Sequence, residues 1–277
     1  MSKELNISII VDNDLIWSLP LWEKTIPILI KNKFSVKNII VCNQKLAIHT
    51  GFNRIKWYFD TFGFFTFFKL SLFAIIILIK NQINFFIKKN NRNFYDLAKQ
   101  YNCQILKCSS PNEKKIQKNL IISDIKIILL MSSHILNKGL VKIPSIGIIN
   151  KHSSALPSNK GLFPFLWSVN NGTPQGISCH KVNSNIDDGR LLYQKLRIQK
   201  KFLSSMVSFY VYVYDTYPLY IIKAIKNLIN KKYLKYDSKI RNSYYGLPKK
   251  EDYKTFVKKG GSIINMIDIV NCLLKKL

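Results

Sequence analysis

Short apolar runs alternate with helical patterns along the first 150 residues, and this alternation restricts the fold more than any other feature. Residues 5–11 and 38–42 are rich in β-branched side chains, and the stretch 21–33 between them has helical spacing. Residues 125–131 form a nearly continuous apolar run, which is typical of a strand covered on both faces. Strands that alternate with helices indicate an α/β fold with a mostly parallel sheet and flanking helices.

The length of 277 residues suits one large domain with a small appendage. We expect the strand–helix units to fill residues 1–200 and a short helical C-terminal extension, 201–277, to pack on them. The apolar segment 202–229 of this extension carries a stripe of tyrosines: Tyr210, Tyr212, Tyr214, Tyr217 and Tyr220. Such a stripe predicts core packing rather than a platform for stacking nucleic-acid bases.

The chain is strongly basic, with 43 Lys and Arg against 15 Asp and Glu and a net charge of +28. We favour a compositional explanation, because Lys, Asn and Ile are heavily used and their codons are rich in A and T. The alternative is a charge selected for a polyanionic partner, which would be a nucleic acid, an anionic membrane or a phosphorylated small molecule. The basic residues are spread along the chain without a zinc-finger pattern, so a nucleic acid is the least favoured of the three.

The five cysteines are widely spread, and no pair has the C-x-x-C spacing of a zinc ribbon or redox motif. An odd number of cysteines in a chain of this size fits reduced thiols, which predicts a cytoplasmic protein. No set of His, Cys and carboxylate residues has the spacing of metal ligands. We therefore expect no metal site.

Residues 62–79 are the most apolar stretch of the chain, and their charge-free part, 70–79, is about half as long as a membrane span requires. We expect mainly a buried helix here. A helix that lies on a membrane surface or on a partner stays open, because Lys80 and further basic residues follow and would suit an anionic leaflet. The protein would then be peripheral at the inner face of the membrane.

Residues 147–194 contain an amide, an imidazole and a carboxylate that together suit acyl transfer. Asn150 and His152 stand two apart after a buried strand, so their side chains project to the same side. Asp187 follows in a loop, where taken alone it would indicate only a turn. An amide can donate to a developing oxyanion, an imidazole can shuttle a proton, and a carboxylate can orient the imidazole or accept a proton.

The order of these residues resembles the N-x-H-x-S-x-L-P signature of the folate-dependent formyltransferase family, carried here by Asn150, His152, Ser154, Leu156 and Pro157. The resemblance continues through Gly161, Trp167, Asn171, Gly172, Gly176, His180 and the segment 186–189. Asp187 takes the position of the family's catalytic Asp. The resemblance is close over residues 125–195 and extends over 5–200 in the order of the strands.

The resemblance implies a Rossmann-like sheet and transfer of a formyl group from the co-substrate 10-formyltetrahydrofolate to a primary amine. Asn150 and His152 would stabilise the oxyanion, and Asp187 would manage the amine proton together with His152. The folate would lie against two loops, whose residues are expected to be Ser132, Ser133, Ile135, Leu136, Asn185 and Ile186.

The sequence differs from the family at positions that indicate which amine accepts the formyl group. The segment after the first strand, 11–17, lacks both the Gly-rich phosphate loop of glycinamide ribonucleotide formyltransferases and the G-T-P-type turn of methionyl-tRNA formyltransferases. The C-terminal part resembles formyltransferase-like proteins of glycan pathways. We therefore expect an amino sugar, linked to a nucleotide, as the small-molecule acceptor, with contacts from residues 11–20 and 50–60.

Three alternatives to this function stay open. Two are enzymes, namely a methionyl-tRNA formyltransferase-like protein and a hydrolase that releases formate from the same donor. The third is a non-catalytic relative that docks on a membrane through residues 62–79. The joint presence of Asn150, His152 and Asp187 argues against a loss of catalysis.

Overall fold

The structure is a computed structural model that describes residues 4–87, 91–183, 187, 189–196 and 198–274. Its strands are β1 (Leu5–Asp12), β2 (Phe34–Cys42), β3 (Gln104–Cys108), β4 (Ile127–Met131), β5 (Gly147–His152), β6 (Lys160–Gly161), β7 (Ile177–Lys181), β8 (Leu191–Lys195) and β9 (Tyr244–Tyr245). Its helices are α1 (Ser18–Lys31), α2 (Gly51–Phe86), α3 (Phe94–Gln100), α4 (Lys114–Ile122), α5 (Lys138–Val141), α6 (Pro164–Asn171), α7 (Met206–Ile229), α8 (Lys250–Lys258) and α9 (Met266–Leu274).

A seven-stranded sheet in the order β3-β2-β1-β4-β5-β7-β8 forms the centre of the molecule. The first five of these strands pair in parallel, and β7 and β8 pair antiparallel to them. The two-residue strands β6 and β9 pair separately. This architecture confirms the predicted α/β fold with a mostly parallel sheet. The strand order reverses between β1 and β4, and open α/β sheets bind their ligands at such a reversal.

The two faces of the sheet carry separate apolar cores. Successive side chains of a strand point to opposite faces, so Ile9 of β1 and Ile149 of β5 join one core while Ile10 and Ile148 join the other. The first core is the larger and is completed by α1, α3, α6 and α7. The second is completed by α4 and α5. Both faces are therefore covered, as the apolar run in β4 predicted.

Helix α7 packs on the larger core, against α1 and the strands β5, β7 and β8. Tyr217 and Tyr220 are buried in this contact, which confirms core packing for that part of the tyrosine stripe. Tyr210 and Tyr214, nearer the start of the helix, line a cleft instead. After α7, α8 packs on α2 and α6, and α9 packs on α2. The division into a domain of residues 1–200 and an extension stays a prediction.

Helix α2 is longer and more exposed than we expected. It runs from Gly51 to Phe86 with a kink at Gly63, and only Thr61, Phe62, Phe73 and Ile77 among its described side chains are buried. The expectation of a buried helix over 62–79 is therefore wrong. The segment is apolar on all sides, so its sequence carries no polar face to show which side has neighbours.

The buried Tyr217 offers a test of the larger core. Its ring packs edge-on against Trp22 at 5.8 Å, and its hydroxyl has no hydrogen-bond partner among the described residues. Removing an unpaired buried hydroxyl relieves a desolvation cost, so we expect Tyr217→Phe to raise the free energy of unfolding by about 1 kcal/mol. Tyr217→Ala should lower it by about 3–5 kcal/mol, because the ring leaves a cavity. Urea unfolding of both variants checks this, and a destabilised Tyr217→Phe would contradict it.

Candidate active site

The carboxyl ends of β1, β4 and β5 meet at one edge of the sheet and open into a cleft of about 510 Å³. Asp12 ends β1, and its carboxylate accepts hydrogen bonds from the Ser132 hydroxyl, at 2.6 Å, and the Ser133 backbone N–H, at 2.8 Å. These bonds tie the end of β1 to the loop after β4, across the reversal of strand order. Asn150 and His152 of β5 line the same cleft.

Asn150, His152 and Asp187 come together in the cleft, as the sequence predicted. The Asn150 amide donates to Asp187 Oδ1 at 3.2 Å, and His152 Nδ1 lies 3.4 Å from Asp187 Oδ2. His180 Nε2 lies 3.3 Å from Asp187 Oδ1, so two imidazoles face this carboxylate. His180 is on β7 directly opposite Asn150 on β5. The carboxylate is thus enclosed by polar groups from β5 and β7.

The chain around Asp187 is shaped to aim its carboxylate into the cleft. The backbone N–H of Gly161, in β6, donates to Asp187 Oδ2 at 3.0 Å. Asp187 itself has a φ of 48°, a left-handed conformation that Asp adopts more readily than most residues. Gly189 passes so close to β7 that a Cβ placed there would lie 1.5 Å from the carbonyl oxygen of Lys181. Glycine is therefore required at this point of the motif.

Burial and charge act in opposite directions on the pKa of Asp187. Burial raises the pKa, but His152, His180 and the Gly161 N–H stabilise the charged form and hold the pKa well below its usual range. Burial lowers the pKa of His152, and the attraction of Asp187 opposes this only in part. At neutral pH the site therefore holds an ionised carboxylate beside a neutral imidazole.

The hydrogen bonds of His152 identify the nitrogen that can take a proton. Its Nε2 lies 2.8 Å from the carbonyl oxygen of Asn159. Because a carbonyl oxygen only accepts, Nε2 carries the proton in the neutral ring and Nδ1 is unprotonated. A proton accepted at Nδ1 would create an imidazolium directly beside Asp187. His152 can therefore take a proton from a ligand in the cleft, and Asp187 can stabilise the imidazolium that forms.

The predicted folate residues are also at this edge. Ser132, Ser133, Ile135 and Leu136 line the cleft with the three catalytic candidates. Asn185 and Ile186 lie outside the described residues, so their predicted role stays a prediction. The Ser133 hydroxyl oxygen is buried without a hydrogen-bond partner among the described residues. It is a polar group available to a ligand.

Two parts of the chain expected to contact the acceptor also reach the cleft. Asp14 and Ser18 come from the segment after β1, and Tyr58 comes from α2. Asp14 Oδ1 accepts the backbone N–H groups of Ile16 and Trp17, which fixes its carboxylate at the start of α1. The segments 11–20 and 50–60 therefore line the same cavity as the catalytic candidates.

Lys151 is the residue that the sequence analysis missed. It lies between Asn150 and His152 on β5, so its side chain points to the opposite face of the sheet, toward α7. Its Nζ lies 4.6 Å from the centre of the Tyr214 ring and donates to Ser153 Oγ at 3.0 Å. Burial lowers the pKa of Lys151 to about 8. A lysine inside the signature, in place of an apolar residue expected in a buried strand, was the signal that could have revealed it.

Strand alternation thus divides the cleft into two sides. Asn150 and His152 share the face of β5 that bears Ile148, toward α4 and α5, where Ser132–Leu136 also lie. Lys151 shares the face of Ile149 with the α7 tyrosines Tyr210 and Tyr214. The cleft therefore offers ligands two differently lined sides, one with Lys151 and the tyrosines of α7 and one with the loop after β4.

The fold and this polar set define an α/β protein with an amide, an imidazole and an ionised carboxylate together at the edge of a mostly parallel sheet. Residues 74–201, slightly less than half of the chain, match the family model described as formyl transferase. This match includes Asn150, His152 and Asp187. The resemblance to the formyltransferase family is thereby confirmed over this part of the chain.

A curated formyltransferase is also similar in sequence to part of this chain. A methionyl-tRNA formyltransferase of Wigglesworthia glossinidia brevipalpis is 36% identical over 103 residues, which are 36% of this chain and 32% of that protein. The chain thus aligns with about a third of the length of this curated relative.

Two solved structures share the fold at low sequence identity. The sugar N-formyltransferase from Shewanella sp. FDAARGOS_354 is 16% identical, with a TM-score of 0.52 over 93% of this chain and 88% of that chain. A sugar 3N-formyltransferase solved with dTDP and 5-N-formyl-THF is 17% identical, also with a TM-score of 0.52, over 88% of this chain and 70% of that chain. These likenesses establish the formyltransferase fold for the chain.

The close approach of Gly189 to β7 predicts that a larger side chain at this position destabilises the protein and displaces Asp187. We expect Gly189→Ala to lower the free energy of unfolding by about 3 kcal/mol, because the backbone must move away from β7. Asp187 should move with it, which would lower the pKa of His152, since that carboxylate raises it. Chemical denaturation and NMR titration of His152 measure both effects.

The matched control is Gly246→Ala, where a Cβ meets nothing within 4 Å. It should change stability by less than about 0.5 kcal/mol. Equal behaviour of the two variants would show that the close approach at Gly189 does not shape the site.

Proposed function

We propose that this protein is a folate-dependent formyltransferase that moves a formyl group from 10-formyltetrahydrofolate to the primary amine of an amino sugar linked to a nucleotide. The observation that carries the proposal is the contact of Asn150, His152 and Asp187 in one cleft, inside the part of the chain that matches the family. An amide donor, a neutral imidazole and an ionised carboxylate are the groups that this transfer needs.

The donor fits the side of the cleft that faces α4 and α5. Ser133 offers its unpaired buried hydroxyl there, and Ile135 and Leu136 offer apolar contacts to a heterocycle. A structural neighbour was solved with 5-N-formyl-THF, which supports the same class of donor here. The folate supplies the formyl carbon, and the residues of the chain orient it and handle the charge and the proton.

The reaction follows from the geometry of three side chains. As the amine attacks the formyl carbon, negative charge develops on the formyl oxygen. The Asn150 amide has two N–H donors, so it can hold Asp187 with one and donate to this oxygen with the other. The amine loses a proton to His152 Nδ1, and Asp187 stabilises the imidazolium. The bond from the formyl carbon to the folate nitrogen then breaks, and this nitrogen takes the proton from His152.

The acceptor fits the side of the cleft that faces α7. Lys151 places a positive charge there and suits a phosphate or diphosphate group. The rings of Tyr58, Tyr210 and Tyr214 offer surfaces on which a base or a sugar can pack. The sugar N-formyltransferases among the structural neighbours support an amino sugar nucleotide as the substrate class.

A second candidate acceptor is aminoacyl-tRNA, favoured by the local identity to a methionyl-tRNA formyltransferase and by the charge of +28. The two acceptors are distinguished by one assay. Purified protein is given 10-formyltetrahydrofolate with either a panel of amino sugar nucleotides or charged initiator tRNA, and the release of tetrahydrofolate is followed. Turnover only with tRNA would overturn the proposed acceptor, and release without any acceptor would indicate a hydrolase.

Replacement of the amide tests the catalytic role of Asn150. We expect Asn150→Ala to lower kcat on the order of 100–1,000-fold, because one oxyanion donor is lost. Binding of the folate should persist, because the residues expected to contact it are unchanged. Steady-state kinetics and calorimetric titration with 5-formyltetrahydrofolate separate the two effects.

Asn230→Ala is the matched control. Asn230 is the exposed C-cap of α7, and the last turn of this helix packs at the start of β5, opposite the cleft. It should keep full activity. Wild-type kcat in Asn150→Ala would remove Asn150 from the reaction.

The lowered pKa of Lys151 predicts a pH dependence of acceptor binding. The charged form is lost as pH rises through about 8, so the KM for an anionic acceptor should rise on the alkaline side. Lys151→Met should raise KM about tenfold near neutral pH, the cost of one charge-assisted hydrogen bond. It should also remove the alkaline rise.

Lys195→Met provides the control, because Lys195 also lies over a tyrosine ring, that of Tyr212 at 5.6 Å, without lining the cleft. Its KM profile should follow the wild type. An alkaline rise that survives in Lys151→Met would exclude Lys151 as its source.

A further inference from the structure

The outer face of α2 is mainly apolar and exposed along the second part of the helix, where Gln82 is an exposed polar residue among the apolar ones. Its exposed large side chains are Phe64, Phe65, Phe68, Ile75, Leu78, Ile79, Ile83 and Phe86. These positions recur at helical spacing, so they form one stripe, which we call the α2 stripe. The 23 residues of Phe64–Phe86 extend over roughly 34 Å.

Helix α9 extends this surface. It packs on α2 and exposes a second stripe, formed by Met266, Ile267, Val270, Leu273 and Leu274. Lys80 of α2 donates to the carbonyl oxygens of Cys272 and Leu273, which holds the two helices together. Apolar patches of this extent on a soluble domain mark an interaction surface.

The charges around the stripes of α2 and α9 indicate which kind of partner this surface binds. Residues 61–87 contain no Asp or Glu, and Asp268 of α9 is buried against Ser205. Helix α8, which packs on α2, has one exposed carboxylate, Glu251, and with its two cap residues brings five exposed lysines nearby: Lys249, Lys250, Lys254, Lys258 and Lys259. An apolar stripe beside lysines matches a surface with an apolar interior and anionic headgroups.

We propose that α2 and α9 dock this protein on an anionic membrane surface. The α2 stripe enters the boundary between headgroups and acyl chains, and the lysines of α8 contact the headgroups. The binding is peripheral. This inference concerns a surface outside the cleft and does not depend on the proposed function.

The contacts of α2 with the protein favour docking over a membrane span. By length and composition α2 could cross a membrane, and it is the one such helix in the described part of the chain. Its opposite side, however, is fixed to the protein, because Phe73 and Ile77 are buried and Trp17 packs on Phe73 at 5.6 Å. A spanning helix would have to leave these contacts.

Charge also favours a membrane over a second copy of the chain. Two copies joined through this surface would bring together two groups of α8 lysines on molecules that each carry a net charge of +28. The repulsion opposes such a dimer, whereas an anionic leaflet is attracted.

The test is flotation of the full chain with two kinds of vesicle, pure phosphatidylcholine and phosphatidylcholine mixed with phosphatidylglycerol. The wild type should float with the mixed vesicles roughly tenfold more than with the neutral ones. The combined variant Phe65→Ser, Phe68→Ser and Ile79→Ser should lose flotation. Its matched control is Ile121→Ser with Ile122→Ser, which changes exposed apolar residues of α4 on the other side of the sheet.

A second pair of variants tests the charges. Lys254→Glu with Lys258→Glu on α8 should reduce flotation roughly tenfold, whereas Lys114→Glu with Lys118→Glu on α4 makes the same charge change away from the surface and should reduce it far less. An unchanged unfolding transition shows that each variant is folded.

Equal flotation of the combined serine variant and the wild type would overturn the proposal, and so would equal binding to neutral and mixed vesicles. Resistance to extraction with alkaline carbonate would indicate a membrane span instead. A lipid-free dimer that the serine substitutions dissociate would indicate that the surface binds a second copy of the chain.

Discussion

The buried carboxylate of Asp187 is the group on which the candidate site depends. It lies among Asn150, His152, His180 and the backbone N–H of Gly161, which come from β5, β7 and β6. A buried charge is stable only when it is paired and hydrogen-bonded, so each of these partners must stay in place. The same arrangement keeps the imidazole neutral yet ready to be protonated, because the carboxylate compensates a positive charge that burial alone would reject. The contacts that stabilise this buried charge are therefore also the contacts on which the proposed reaction depends.

The sheet places the other functional groups by strand alternation. Asn150, Lys151 and His152 are consecutive, yet they serve two sides of the cleft because neighbouring residues of β5 point to opposite faces. In the proposed reaction, one short strand end would thus present a reacting group to the donor and a charged group to the acceptor. The hydrogen bonds from Ser132 and Ser133 to Asp12 fix the loop after β4 against β1, so this wall of the cleft is tied to the edge of the sheet.

Much of the fold was predictable because local patterns and the tertiary structure agree. The apolar run before Ser132 is β4, and the run before Asn150 is β5. The contact of Asn150 and His152 with Asp187 was predictable from the resemblance. The hydrogen bond from the Gly161 N–H to Asp187 was not predictable, because it depends on where β6 lies in the folded chain. The exposure of α2 was also not predictable, since an apolar helix has the same composition whether a protein or a lipid surrounds it. Lys151 was missed because a charged residue in a strand end shows its environment only once the facing helix, here α7 with Tyr214, is placed.

Helix α2 contributes to both the cleft and the α2 stripe, and Gly63 separates the two parts of the helix. Its first part carries Tyr58 to the cleft, and its second part carries the apolar stripe. Between them Gly63 has a φ of 74°, a conformation that interrupts the helix and that residues with a Cβ rarely adopt. Because the kink separates the two parts, each follows its own direction along the protein. The bend thus lets one helix line the cleft with its first part and lie along the outer surface with its second, while Phe73 and Ile77 keep that second part packed on the protein.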